Sequence, residues 1–444
     1  MESLARRKKF NWGSGYLELM VLAAPIIFAN FLQNFYNLAD SYYMGKVGDV
    51  ELATSSFTSP ITQMIVGFGS GFAVGGGIII SRLVGVGDKR EILKVNSQLI
   101  SINMIFSFIL MVLSLIFCES ILIFSGASGE LLEKSKIYMN LIFLTIPFTF
   151  LITSYTTIKN SKGKTAYPLI LVGISTILNI VLNSLFIYKF NMGIKGIGIA
   201  TLIANIILGF YCIGDLYINR EFSIKNIKVE KDLFFRITKL GIPSSFTSVA
   251  NSLSFIIINI FVVKYGSDVL AAYGIGNRIN NIIYVIINGI GTALGILIGQ
   301  NIGAHKVRKA RDFLYSAMNI GILIGILSIG IVYFYLDELV GVFTESTIIK
   351  KHSINYLKVM LISVAPWAIF QALAGAFQGT GHTKFNMYCH FGRIWIFRVP
   401  LIILLEVIFL AEEYSIWYSM LLSNLFALLF SFLLYKKINW RKKI

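Results

Sequence analysis

The feature that most restricts this chain is the recurrence of apolar runs long enough to cross a bilayer. They fall near residues 16 to 44, 52 to 80, 95 to 118, 139 to 158, 166 to 188, 194 to 218, 237 to 263, 270 to 298, 312 to 336, 355 to 378, 386 to 410 and 415 to 435, twelve in all. About 20 helical residues cross the hydrocarbon core, and each run reaches that length. With 56% apolar and 14% charged residues and a mean hydropathy of +0.74, the composition lies outside the soluble globular range. The expectation is an all-α integral membrane protein of twelve transmembrane helices rather than the two or three soluble domains that length alone permits.

The net charge of +17 does not point to nucleic acid. Lys and Arg sit in short loops between the apolar runs, where they orient a membrane protein. If the N-terminus is cytoplasmic, 27 of the 39 lie on that side, 9 lie on the other, and Arg278, Arg393 and Arg398 lie within runs. Both termini are therefore expected in the cytoplasm, together with the polar linker at 219 to 236, the longest charged interruption in the chain. The basic patch at Arg6, Arg7, Lys8 and Lys9 precedes a run far longer than a signal-peptide core, so that run is expected to remain as the first membrane helix. Cys118, Cys212 and Cys389 are isolated, without disulfide or metal spacing, and read as small apolar fillers.

One run carries a carboxylate that lipid does not tolerate. Asp40 lies inside membrane depth, and Gln33, Tyr36, Asn37 and Asp40 recur at i, i+3, i+4 and i+7, on one face of an otherwise apolar helix. Such a face must turn to a bundle interior or a watery cavity, and an intramembrane acid is by default a candidate ion or substrate site. The alternative is a carboxylate that only holds neighbouring helices together.

The halves are related. A shift of 218 residues places Pro25 on Pro243, Phe28 on Phe246, Gly48 on Gly266, Gly71 on Gly289, Gly85 on Gly303 and Gly163 on Gly381. One constant offset over about 140 residues indicates a duplication. Six helices per repeat is an even number, so both copies have the same orientation and are related by a pseudo-twofold axis along the membrane normal. The expected division is an N-terminal lobe at 1 to 218, the linker, and a C-terminal lobe with tail at 237 to 444. The shift sends Gln33 to Asn251 but Asp40 to Ile258, and no acid lies between 237 and 263, so ion coupling is expected in the N-terminal lobe. Glu406 is near the outer end of the eleventh run, beside Glu412 and Glu413, where solvation explains it.

Other motifs carry less. The GGGII stretch and the scattered GxxxG spacings allow close helix contact rather than phosphate binding. His305, His352, His382 and His390 have no metal-ligand spacing. No nucleophile with a base and no nucleotide-binding loop is present, so the chain reads as neither an enzyme nor an ATP-driven pump.

The run FLQNFYNLADSYYMGKVG, the basic loops SRLVGVGDKREI and GQNIGAHKVRKA, and the paired NSKGKT and QGTGHT loops resemble the multidrug and toxic compound extrusion family over nearly the whole chain. Asp40 with Gln33 and Asn37 is most similar to its DinF-type branch. The resemblance implies two six-helix lobes around a central cleft, and export of organic, often cationic, compounds in exchange for Na+ or H+. It places the coupling cluster at Asp40, Asn179, Asn183 and Thr201, with Asn183 where many relatives carry a second acid. A Na+ would be held by Asp40 with amide and hydroxyl oxygens. Candidate substrate contacts are Gln33, Tyr36, Asn37, Asn205, Asn251 and Arg278, with Tyr36 a wall for a planar cation. The expected partners are small organic substrates and the lipid bilayer of the cell membrane, without nucleic acid or cofactor, and the monomer is the expected functional unit. The runner-up is a flippase for lipid-linked or anionic precursors, with the three arginines lining the cleft.

Overall fold

The computed structural model describes residues 12–409 and 412–441, so the basic patch at Arg6 to Lys9 lies outside the described residues. Among those described, the chain is helical. The spanning elements are α1 (Trp12–Val47), α2 (Asp49–Val86), α3 (Lys89–Ile116), α4 (Gly129–Ser161), α5 (Ala166–Lys189), α6 (Gly193–Ile218), α7 (Lys231–Val263), α8 (Ser267–Gly303), α9 (Val307–Phe334), α11 (Thr383–Val407) and α12 (Tyr414–Tyr435). The tenth, α10, is a pair, Thr347–Ile362 and Val364–Gly379, bent by 49°. The bend has a cause in the sequence: Pro366 cannot donate to the preceding turn. The twelve expected spans are all present.

Several helices run past the apolar stretch that announces them. α7 starts at Lys231 rather than near 237, because Leu233, Ile237 and Leu240, at i, i+4 and i+7, are buried against the N-terminal lobe. The linker therefore shortens to the stretch between Ile218 and Lys231. At 38 and 37 residues, α2 and α8 are about 55 Å long at 1.5 Å per residue, well over the ~30 Å hydrocarbon core.

The 218-residue shift reappears in three dimensions. Helix starts at 49, 89, 118 and 129 recur at 267, 307, 336 and 347. The contacts between the lobes are reciprocal in the same register. A Cβ on Gly71 would strike Ser245, and one on Gly289 would strike Ile27, its equivalents under the shift. A Cβ on Gly85 would meet Gln300 and one on Gly303 would meet Arg82, again equivalents. Arg82 donates to the Thr380 carbonyl at 2.9 Å, and Gln300 donates to the Ser161 carbonyl at 2.9 Å. This is the signature of a twofold interface, in which residue i meets j and j meets i. It seals the lobes together at the ends of α2 and α8 that adjoin the basic loops.

Each lobe has its own apolar core. Tyr155, Phe150, Leu99 and Ile80 anchor the first, and Trp417, Tyr356, Phe370 and Phe377 the second. Between them, Leu19, Ala23, Ile26 and Ile27 of α1 pack on Ile290, Leu294 and Ile298 of α8.

Candidate functional site

A cavity of about 700 Å³ opens within the N-terminal lobe. Gln33, Tyr36, Asn37 and Asp40 all line it, as the shared helical face requires. The opposite wall holds Thr201 and Asn205 of α6, with Tyr138 and Thr149 of α4 between. Ser248 and Ser252 of α7 close it from the second lobe.

α5, whose Leu171 and Ser175 also line the cavity, brings two fully buried amides to the Asp40 cluster. Asn183 donates to Asp40 Oδ1 at 2.8 Å and to Asn179 Oδ1 at 3.0 Å. Asn179 donates in turn to the Tyr36 hydroxyl at 3.0 Å and to Thr201 Oγ1 at 3.3 Å. The i, i+4 spacing of Asn179 and Asn183 puts both amides on one face, and Tyr43, whose hydroxyl donates to the Ile180 carbonyl at 3.3 Å, ties α1 to that helix. Immediately after Asn183, residues Leu185–Lys189 adopt a π-helical turn, a local widening common at functional sites. Asn205 donates to the Thr201 carbonyl at 2.9 Å and accepts from Thr149 at 3.4 Å. The three helices α1, α5 and α6 thus meet at Asp40, Asn179, Asn183 and Thr201.

The polarity of the amides matters. The Nδ2–H of Asn183, not its oxygen, faces Asp40, and Asn183 Oδ1 is buried without a partner. As arranged, Asn183 supplies a hydrogen-bond donor to the Asp40 carboxylate. Among the described residues, no group of three or more His, Cys, Asp or Glu side chains converges on a point.

The remaining candidates lie elsewhere. Arg278 is exposed on α8 and does not line the cavity. Asn251 is exposed on α7 and accepts from Arg393 Nη2 at 3.1 Å. Glu406, partly exposed, pairs with Lys264 at 3.8 Å, and its neighbour in sequence Glu413 is buried against His352 Nδ1 at 2.6 Å.

Sequence reasoning missed Lys159. Read as part of a basic loop, it is the fully buried end of α4, 2.5 Å from Asp215 and 2.8 Å from Glu221, with Tyr155 and Tyr167 rings beside its ammonium. Lys162 and Lys164 reach the other oxygen of Glu221. Burial alone would raise the Glu221 pKa, but hydrogen bonds from Lys159 and Lys164 and the charge of Lys162 overcome it and hold the group at about 2. Asp215, an acid at the otherwise apolar end of α6, was the signal available.

Reciprocal lobes, twelve spans and a polar cavity with one carboxylate define a duplicated multi-pass membrane transporter. The chain belongs to the MatE family, whose model matches residues 25–185 and 243–404, once in each lobe. Multidrug export protein MepA of Staphylococcus saprophyticus is 27% identical over 381 residues, covering 84% of each chain. MepA of Staphylococcus aureus is also 27% identical, over 370 residues and 82% of each. Among solved structures, a MOP superfamily transporter from Pyrococcus furiosus superposes with a TM-score of 0.90 at 21% identity, covering 97% of this chain and 98% of that one. The Vibrio cholerae MATE transporter VcmN in its bent form gives 0.89 at 20%, covering 96% and 97%.

Proposed function

We propose that this chain is a secondary active exporter of organic cations, with Asp40 as the carboxylate that couples efflux to an ion gradient. The observation that carries the reading is Asp40 itself. It is an acid at membrane depth that lines the cavity and is held by Asn183 rather than by a lysine or arginine, so its charge is left to interact with whatever enters. The MepA relatives, named for multidrug export, support the substrate class. The flippase reading finds no support in the relatives or the matched structures and is not carried further.

The donor arrangement favours a proton over Na+. Protonating Asp40 leaves the Asn183 and Asn179 bonds in place, whereas a Na+ needs the Asn183 amide turned over to present Oδ1, at the cost of both its N–H bonds. A proton and an organic cation then compete for one carboxylate, which is antiport at its simplest: each ligand shifts the lobes only by its differential affinity for the two states. The orientation proposed is the one set by the basic loops, with both termini in the cytoplasm of a cell-membrane protein that works as a monomer. In this state the interface at Gly85 and Gly303 closes the cytoplasmic side.

The test is uptake of a fluorescent organic cation by proteoliposomes under an imposed pH gradient or an imposed Na+ gradient. The reading expects concentrative uptake with the pH gradient alone. Uptake driven by Na+ and indifferent to pH would overturn the proton assignment, and no uptake with either would overturn the function.

A further inference from the structure

The second lobe buries two positive charges without a negative one. Arg393 and Arg398 of α11 are 9% and 4% exposed, and no carboxylate pairs with either among the described residues. The acids on the helices around them are engaged elsewhere, Glu406 with Lys264 and Glu413 with His352. Both guanidiniums instead share one neutral acceptor, Asn424 Oδ1, at 3.5 Å from Arg393 Nη1 and 3.0 Å from Arg398 Nη2. Arg398 Nε also donates to Ser423 at 2.9 Å. Buried charges are normally paired, and two like charges around an amide oxygen leave an electrostatic demand that the lobe does not meet itself.

The geometry says where that demand is met. One edge of the Arg393 guanidinium, Nε with Nη2, is the fork that takes a carboxylate through two parallel bonds. Its Nη2 is on Asn251 Oδ1 at 3.1 Å, while its Nε is buried without a partner. The same Asn251 oxygen lies 3.4 Å from His390 Nδ1, so one neutral amide oxygen stands where a carboxylate oxygen would satisfy two donors. Asn251 is exposed, three residues from the cavity-lining Ser248 and equivalent under the repeat to Gln33, which lines the cavity in the other lobe. Trp367 backs the guanidinium, its ring centre 4.7 Å from Cζ, and fixes the plane of the fork. The two arginines sit in the π-helical turn Gly392–Arg398, just before Pro400, a distortion of the kind found at binding sites.

We propose that the C-terminal lobe carries a carboxylate-binding site, with Arg393 as the fork, Arg398 as supporting charge and Asn251 as the displaceable lip. Binding at this site is independent of the coupling role of Asp40 and of the export reading.

The test is titration of purified full-length protein in uncharged detergent with benzoate, with benzamide as its neutral isostere and chloride as a small anion, followed by calorimetry. One benzoate per chain is expected, with an affinity in the roughly millimolar range, and no binding of benzamide. Arg393→Gln weakens benzoate binding at least about tenfold, and Asp40→Asn leaves it unchanged. Asn251→Asp supplies the missing carboxylate internally, so it abolishes benzoate binding and raises the melting temperature. That variant keeps the proposal open to test even if Arg393→Gln does not fold. Equal binding of benzoate and benzamide, displacement of benzoate by equimolar chloride, or an Asn251→Asp protein that still binds benzoate and melts no higher would each overturn the assignment.

Discussion

Replacing Gly85 by alanine tests whether the lobe interface is a gate rather than static packing. The added methyl would meet the Gln300 carbonyl oxygen and come within 2.8 Å of the Ala304 nitrogen, both main-chain atoms of α8. Main chain inside a helix does not move aside, so the two helices must separate in the closed state while the open state is unaffected. Overpacking of this kind costs about 1–3 kcal/mol. A cost borne by one state alone shifts the balance toward the other by about 5- to 150-fold. The assay is alkylation of Ser81→Cys by a membrane-impermeant maleimide in protein whose three native cysteines have been replaced. Ser81 is 2% exposed, and its Cβ lies 2.9 Å from where a Cβ on Gly299 would sit, so labelling reports opening. With opening fast relative to labelling, the rate follows the open population and rises by that factor in Gly85→Ala. Gly303→Ala, the equivalent position facing Arg82, does the same. Gly214→Ala, which meets nothing within 4 Å, leaves the rate alone. An unchanged rate in Gly85→Ala with a lowered melting temperature would refute the gate and leave only a packing contact.

Two further outcomes follow from the charges. A glutamate with a folded pKa of about 2 rather than just above 4 contributes on the order of 3 kcal/mol. Because the folded value is depressed, the contribution of Glu221 is complete above the unfolded pKa and disappears as pH falls from about 4.5 towards 2. Wild type should therefore exceed Glu221→Gln in unfolding free energy at pH 7 and converge with it below pH ~1.5; a constant gap down that range would contradict the network. Asn183→Asp restores a second titratable group 2.8 Å from Asp40, where two carboxylates cannot both ionise freely. Proton-release measurements should find more than one proton per organic cation bound, and an unaltered ratio would mean that Asn183 does not face the exchanging carboxylate.

Much of this architecture was legible because lipid enforces simple rules. Twelve runs gave twelve spans, and the repeat offset that aligned Gly71 with Gly289 proved to be the register of a twofold interface. Asp40 was legible because an acid in an apolar run has few explanations. The convergence of Asn179, Asn183 and Thr201 on it was not, since spacing places residues on a helix face but cannot say which helices meet; only the family resemblance joined them. Lys159 looked like loop charge because its partners, Asp215 and Glu221, are distant in sequence. The direction of the Asn183 amide, which separates a donor shell from an oxygen cage, has no signature in sequence at all.

The central claim is that the charge state of Asp40 connects ion movement to cargo movement, and the direct measurement separates coupled from uncoupled transport in Asp40→Asn. The amide keeps nearly the shape of a protonated carboxyl but cannot titrate. Reconstituted Asp40→Asn protein is expected to fold and to equilibrate a fluorescent organic cation down its own gradient, while failing to concentrate it under a pH or a Na+ gradient. Uphill transport at the wild-type rate by that variant would make Asp40 a structural residue and contradict the account.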